Sequence, residues 1–229
     1  MQIASDHLLD DVESPSKVSA GPGAGKTHWL TLHVGNVCRR GRKLGSCSRV
    51  LCITYTNVGL RQLRERLGAT ADRVECATIH AFLYEHVVAP YLHLLVDGEG
   101  EPLVAHGKVD GHREHMPMYS KVEAWLTQAT QVRLGRFGSS GSGGSNEALA
   151  QIWRFLSSLA WEKAADGDWR LCCPKPMAVP QYFPRSEEKL ASYKQHYWRD
   201  GIIDHDDVLR FAWDILGTHE MLRRSLAAR

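Results

Sequence analysis

The 229-residue chain lacks any apolar run approaching the roughly 18 residues that a spanning helix needs, which excludes a helical membrane protein. It also lacks a secretory signal: the opening "MQIASDHLLDDVE" is polar and acidic where a signal peptide would be basic and then apolar. The six cysteines (Cys38, Cys47, Cys52, Cys76, Cys172, Cys173) show no CxxC spacing, and two are adjacent. That pattern argues against a zinc site and against a disulfide framework, and it fits a reducing, cytoplasmic compartment. There is no internal repeat. The net charge of +2 is too small to select a class of partner.

What is present is an ordinary globular composition, 43% apolar and 24% charged, long enough for one large domain or two smaller ones. Charge is unevenly placed. "RRGRKLGSCSR" holds five basic residues from Arg39 to Arg49 and no acid, which reads as a solvated loop before a strand, with a phosphate-contacting patch as the alternative. The one low-complexity segment is "GSSGSGGS", Gly138–Ser145. Such a run is a flexible linker, and its purity suggests an engineered splice, with a natural linker as the alternative.

Upstream of that run, strands and helices alternate. Lys17–Ala20 is a short strand candidate, followed by a glycine loop and a helix from Lys26 to about Cys38. "RVLCITYT" (Arg49–Thr56) reads as a buried strand, and "NVGLRQLRERLG" as a helix with Leu60, Leu63 and Leu67 on one face and Gly68 at its end. "VECATIHAF" repeats the plan, with a helix from about His80 to His86. This alternation predicts an α/β fold with a parallel sheet covered on both faces. "LLVDGEGEPLVA" (Leu94–Ala105) looks like a hairpin turned on its Asp-Gly. From Tyr119 to Trp161 the pattern is helical around the linker, and four prolines then break it in "CCPKPMAVPQYFP". Two helices close the chain, the first capped by Ser186, the second burying Val208, Leu209, Phe211, Ala212, Ile215 and Leu216.

The chemistry concentrates in "AGPGAGKTH": Ala20, Gly21, Pro22, Gly23, Ala24, Gly25, Lys26, Thr27 and His28. Glycines at alternate positions let consecutive N–H groups turn onto one concave surface, and the helix N-terminus behind them adds partial positive charge. Lys26 then reaches the terminal phosphates of a nucleoside triphosphate while the Thr27 hydroxyl ligates Mg²⁺. The expected ligands of this loop are a nucleoside triphosphate and Mg²⁺. Ala20 stands where the general phosphate-loop pattern has Gly.

"AGPGAGKT" resembles the form of this loop in UvrD/Rep-type superfamily 1 DNA helicases. "ITYTNVGLRQLRERL", "ATIHAFL" and "IIDHDDVLRFAWDIL" are similar to three further signatures of that family, in order, with His205 where Phe is usual. The resemblance implies a RecA-like P-loop NTPase sheet with a mainly helical insertion. On that reading residues 1–88 open the ATP-binding domain, 89–200 form the insertion and 201–229 return to the first domain. It implies that Thr56, Asn57, Thr78, His80 and Phe82 contact single-stranded DNA. Phe82 as a core residue and His80 as a strand-end histidine are the alternatives. Val58, Gly59 and Leu60 replace a usual Lys-Ala-Ala, which removes a cation from that track. Basic and aromatic residues of the insertion (Arg133, Arg136, Trp153, Arg154, Trp161) read as half core and half solvated face, with nucleic-acid contact as the alternative.

Hydrolysis needs an acidic pair at a strand end. The one apolar run ending in Asp is "LHLLVD", but Gly98 follows Asp97 and "DGEGEP" is turn chemistry. The resemblance places the acidic strand after "DHDDVLRFAWDIL", so the chain is expected to be the N-terminal part of a longer helicase, with the remainder of the motor, its second RecA-like domain, as partner. Gln2 is the one candidate for adenine recognition. His106, His112 and His115 read as exposed loop histidines, and Asp204, Asp206 and Asp207 as helix-capping acids, with metal binding the alternative for each group. Two rivals to a helicase remain: a P-loop phosphotransferase, and a nucleotide-gated DNA-binding or docking module with no activity of its own.

Overall fold

A computed structural model of the chain describes residues 4–45, 48–137, 144–181 and 183–227. Gln2, Cys47 and residues 138–143 of the Gly/Ser run lie outside the described residues. The chain packs as two units: residues 1–82 with 221–229, and residues 83–220.

The first unit is a βαβ arrangement. Helix α1 (Lys26–Arg40) leads to strand β1 (Val50–Thr54), helix α2 (Asn57–Leu67), a 3₁₀ turn (Gly68–Arg73), strand β2 (Val74–Thr78) and the start of helix α3 (Ile79–Leu83). β1 and β2 are parallel, with Val50 opposite Val74 and Thr54 opposite Thr78. One face of the pair is dry: Cys52 and Cys76 pack with Val34 and Cys38 of α1 and Leu63 and Leu67 of α2, as the leucine spacing predicts. Burial pushes the Cys52 thiol up to about 12, so it is an inert packing group rather than a nucleophile. The other face departs from expectation. Leu51 and Ile53 are 38% and 42% exposed, because residues at i and i+2 share a face and neither α1 nor α2 lies on that side.

Lys17–Ala20 is not a strand. The segment is irregular and Lys17, Val18 and Ser19 are exposed, since extended backbone becomes a strand only when a neighbour takes its N–H and C=O groups. The residues before it form a strap along α1 that periodicity did not reveal. Trp29 Nε1 donates to the His7 carbonyl (2.7 Å), Asn36 Nδ2 to the Leu9 carbonyl (3.2 Å), and the Arg42 N–H to Glu13 Oε1 (2.6 Å). The strap thereby binds α1 and the turn that follows it, and Trp29 stacks on His33 at 4.7 Å.

The second unit continues with a π turn (Tyr84–Val88), helix α4 (Ala89–Tyr91), helices α5 (Tyr119–Thr130) and α6 (Gly144–Ser157), strands β3 (Ala160–Lys163) and β4 (Trp169–Cys172), and helices α7 (Glu187–Trp198) and α8 (His205–Thr218); α9 (Glu220–Ala227) follows. Its core joins Val122, Trp125 and Leu126 of α5, Ile152 and Leu156 of α6, and Tyr193 of α7. The β3–β4 hairpin corrects the helical reading of Trp161. Its turn is set by Asp166-Gly167, with Gly167 at φ 93°, and the Ala164 N–H donates to the Asp168 carbonyl. At Leu94–Ala105 a turn does form: Val96 bridges Pro102 antiparallel, and the Asp97 carboxylate accepts the Glu99 and Glu101 N–H groups. Ser186 occupies the N-cap of α7 but makes no side-chain cap bond. In α8, Val208, Phe211, Ala212 and Ile215 are buried, while Leu209 and Leu216 are half-buried at the margins of the stripe.

A buried ionic cluster organises this unit. Lys194, 1% exposed, pairs with Asp204 and with Asp207 (3.0 Å). His115 Nδ1 lies 3.0 Å from Asp204, and its Nε2 is bonded to the Tyr193 hydroxyl at 2.9 Å. Trp161 Nε1 donates to Asp207 (2.9 Å) and its ring lies under the Arg210 guanidinium. His115 is therefore largely buried, not an exposed loop histidine, and Trp161 is a half-buried ring packed against the core. Asp204 and Asp207 also form a reciprocal capping box on α8, as the helix-capping reading of these acids requires. No group of three or more metal-ligating side chains converges among the described residues.

Candidate functional site

Two parallel strands in register leave the sheet at one edge, where loops of α/β proteins hold ligands. Thr54 and Thr78 are the last paired residues. After them come Tyr55, Thr56 and Asn57 on one side and Ile79 and His80 on the other. Tyr55 is 75% exposed, and its ring meets His80 edge-on at 5.8 Å and 78°. A tyrosine this open has no packing role, yet it sits beside a residue that the sequence already marked. Sequence reasoning missed Tyr55 as a site residue; its position next to Thr56 was the available signal.

The flanking hydroxyls are held by helix ends. Thr56 is the N-cap of α2, and its Oγ1 accepts the Gly59 N–H at 3.1 Å. A Cβ at Gly59 would lie 3.1 Å from that oxygen, which gives the Gly in "NVGL" a steric reason. Thr78 Oγ1 accepts the Ala81 N–H at 3.2 Å. Each hydroxyl keeps its own proton to donate outward. Asn57 opens α2 fully exposed, while Phe82 and His80 are half-buried.

The glycine loop forms the start of α1. Gly23 and Gly25 have φ of 75° and 79°, in the left-handed region that glycine tolerates, and Gly25 is the N-cap. A Cβ at Gly23 would meet nothing within 4 Å, whereas at Gly25 it would lie 2.9 Å from Ser5 Cβ in the N-terminal strap. The loop is exposed from Gly21 to Ala24, as are Lys26 and His28; Thr27 is half-buried. Lys26 Nζ donates to the Ala20 carbonyl at 2.7 Å.

α2 has a side-chain cap, but α1, like α5 of the second unit, has no side-chain cap and no acid in its first turn. Its first N–H groups, its dipole and the Lys26 ammonium are all uncompensated by a carboxylate, which suits an anion. The residues present thus fit a bound triphosphate and its Mg²⁺, through backbone N–H groups, Lys26 and the Thr27 hydroxyl.

The family described as the UvrD/REP helicase N-terminal domain matches residues 4–229. The Gabija protein GajB of Bacillus cereus (strain HuB5-5) is 41% identical over 64 residues, which are 27% of this chain and 9% of that protein's length.

Proposed function

Because the chain belongs to the UvrD/REP helicase N-terminal domain family, we propose that it is the nucleotide-binding, DNA-tracking part of an ATP-driven helicase or translocase acting on single-stranded DNA. The observation that carries this reading is the uncapped, acid-free N-terminus of α1 behind the glycine loop, with Lys26 exposed beside it. ATP with Mg²⁺ supplies the phosphoryl-transfer chemistry when bound. The N–H groups of Gly21 and of Gly23 to Thr27 would hold phosphate oxygens, Lys26 would turn from the Ala20 carbonyl to the terminal phosphates, and the Thr27 hydroxyl would ligate the cation. At the strand-exit edge, the Tyr55 and His80 rings would support a base, Thr56, Asn57 and Thr78 would hold the sugar–phosphate chain, and Phe82 would line the same edge.

Turnover asks for more. Among the described residues neither β1 nor β2 ends in an acid, and the Asp97 carboxylate is committed to its own turn. This favours, for the chain acting alone, a module that binds nucleotide and DNA but hydrolyses little. ATP turnover with and without single-stranded DNA, together with nucleotide binding, for the chain and for Lys26→Ala tests both points. Binding that Lys26→Ala weakens at least about tenfold, with no turnover, supports the reading. Lys26-dependent turnover by this chain would require a catalytic carboxylate among its own residues. Phosphate transfer to a small acceptor would replace the helicase reading with a phosphotransferase.

A further inference from the structure

The two units have opposite charge. Residues 1–82 with 221–229 carry 14 Lys and Arg against 7 Asp and Glu, and residues 83–220 carry 14 against 19. The positive excess of the first unit has a location. α1 runs back along the strands, since Arg73 Nη1, one residue before β2, donates to the Cys38 carbonyl near the end of α1 (2.7 Å). The turn after α1 and the residues entering β1 and β2 therefore share the strand-entry edge. A 15-residue helix, roughly 22 Å long, separates this edge from the glycine loop. Arg39, Arg40, Arg42, Lys43, Arg49 and Arg73 all lie there and are exposed.

We propose that this strand-entry edge is a second nucleic-acid surface, one that grips the sugar–phosphate backbone of duplex DNA. Arg39 and Arg40 also suit the negative end of the α1 dipole, but that asks for no more than the last turn and leaves Arg42, Lys43 and Arg49 unexplained. Among the described residues Arg40 pairs with Asp10 at 3.8 Å, a long and solvent-exposed contact that phosphate displaces at little cost. Glu13, half-buried and holding the Arg42 and Lys43 N–H groups, neutralises Lys43 at 3.6 Å, so the grip falls to Arg39, Arg42 and Arg49. A protein partner is disfavoured because none of the exposed large hydrophobics lies in this edge, and protein interfaces centre on apolar or aromatic anchors. A single strand is disfavoured for the same reason: its bases need aromatic platforms, which the opposite edge has in Tyr55 and this one lacks. A duplex hides its bases and presents dense phosphate charge, which matches a cationic surface without rings.

The test uses the full chain without nucleotide, so its outcome is independent of the phosphate-loop reading. Fluorescence anisotropy would follow a labelled duplex of about 20 bp and an oligo-dT of equal length between about 50 and 200 mM salt, for the chain and for Arg39→Gln/Arg42→Gln/Arg49→Gln. Loss of three phosphate contacts lowers the log–log salt slope by about 2.7, so the unaltered chain loses about 40-fold more duplex affinity over that range than the variant. Oligo-dT binding stays unchanged. The corresponding triple Arg→Lys variant keeps duplex binding, since backbone contacts need charge more than the guanidinium fork, and it serves as the control for folding. An unchanged duplex slope in the Gln variant overturns the proposal, and so does an equal loss on duplex and single strand.

Discussion

Lys26 Nζ donates to the Ala20 carbonyl at 2.7 Å, so the cation that opens α1 reaches back across the whole glycine loop. The ammonium is exposed and this exposed contact is easily exchanged for phosphate oxygens. Lys26→Ala is expected to leave the melting temperature nearly unchanged while weakening nucleotide binding by about 10- to 150-fold, the worth of one charge-assisted hydrogen bond of roughly 1.5–3 kcal/mol. Titration with a fluorescent ATP analogue reads it directly.

Gly23 and Gly25 share a left-handed backbone but differ in surroundings. Gly23→Ala should cost about 1–2 kcal/mol, from backbone strain alone. Gly25→Ala should cost more, because the new Cβ also drives Ser5 out of place and loosens the strap that Trp29 and Asn36 hold. Urea denaturation of the two variants, read by circular dichroism, ranks them; equal losses would show that Ser5 yields freely.

Tyr55 is mostly solvent-exposed, so Tyr55→Ala should not change stability by more than about 0.5 kcal/mol. Loss of a stacking platform should nevertheless weaken oligo-dT binding by about 1–3 kcal/mol, and Tyr55→Phe should retain it. Anisotropy on the three proteins decides whether this ring carries a base.

In the second unit, burial opposes the charge on Lys194, but the Asp207 and Asp204 carboxylates outweigh it and hold the ammonium above its ordinary range. Burial likewise raises Asp204, and the His115 hydrogen bond and Lys194 overcome it, so its carboxyl lies well below the usual carboxylate range. The Asp204 contribution to stability is complete above its unfolded value of about 3.9 and is lost as pH falls through the lower folded value. The Lys194 contribution is complete below about 10.4 and is lost as pH rises through the higher folded value. The contribution of this pair should therefore be flat between these limits and fall outside them, while burial of His196, which disfavours its charged form, makes total stability decline as pH drops below about 6.5. Lys194→Met leaves two carboxylates without their cation and should cost about 3–5 kcal/mol. Six of the seven tryptophans lie in this unit, so their fluorescence during denaturation at several pH values reports it.

Several elements were legible in the chain itself. The leucines at 60, 63 and 67 give α2 its buried face, and "AGPGAGKTH" specifies a glycine turn into a helix. The β3–β4 hairpin carried a readable signal in Asp166-Gly167 between Trp161 and Trp169, which the helical pattern on either side obscured. The Lys17–Ala20 strand failed for a different reason: four residues carry propensity but no information about a partner.

What depends on near neighbours is legible in the order of residues: the helix that begins at Lys26, the parallel alternation that follows it, and the residue types able to hold an anion. What depends on distant ones comes from packing. Tyr55 meeting His80, Ser5 filling the space beside Gly25, and Lys194 finding Asp204, Asp207 and their partner His115 all join residues that no periodicity relates. Backbone dihedrals and spacing act over a few residues, whereas burial and charge pairing are settled by which elements pack together.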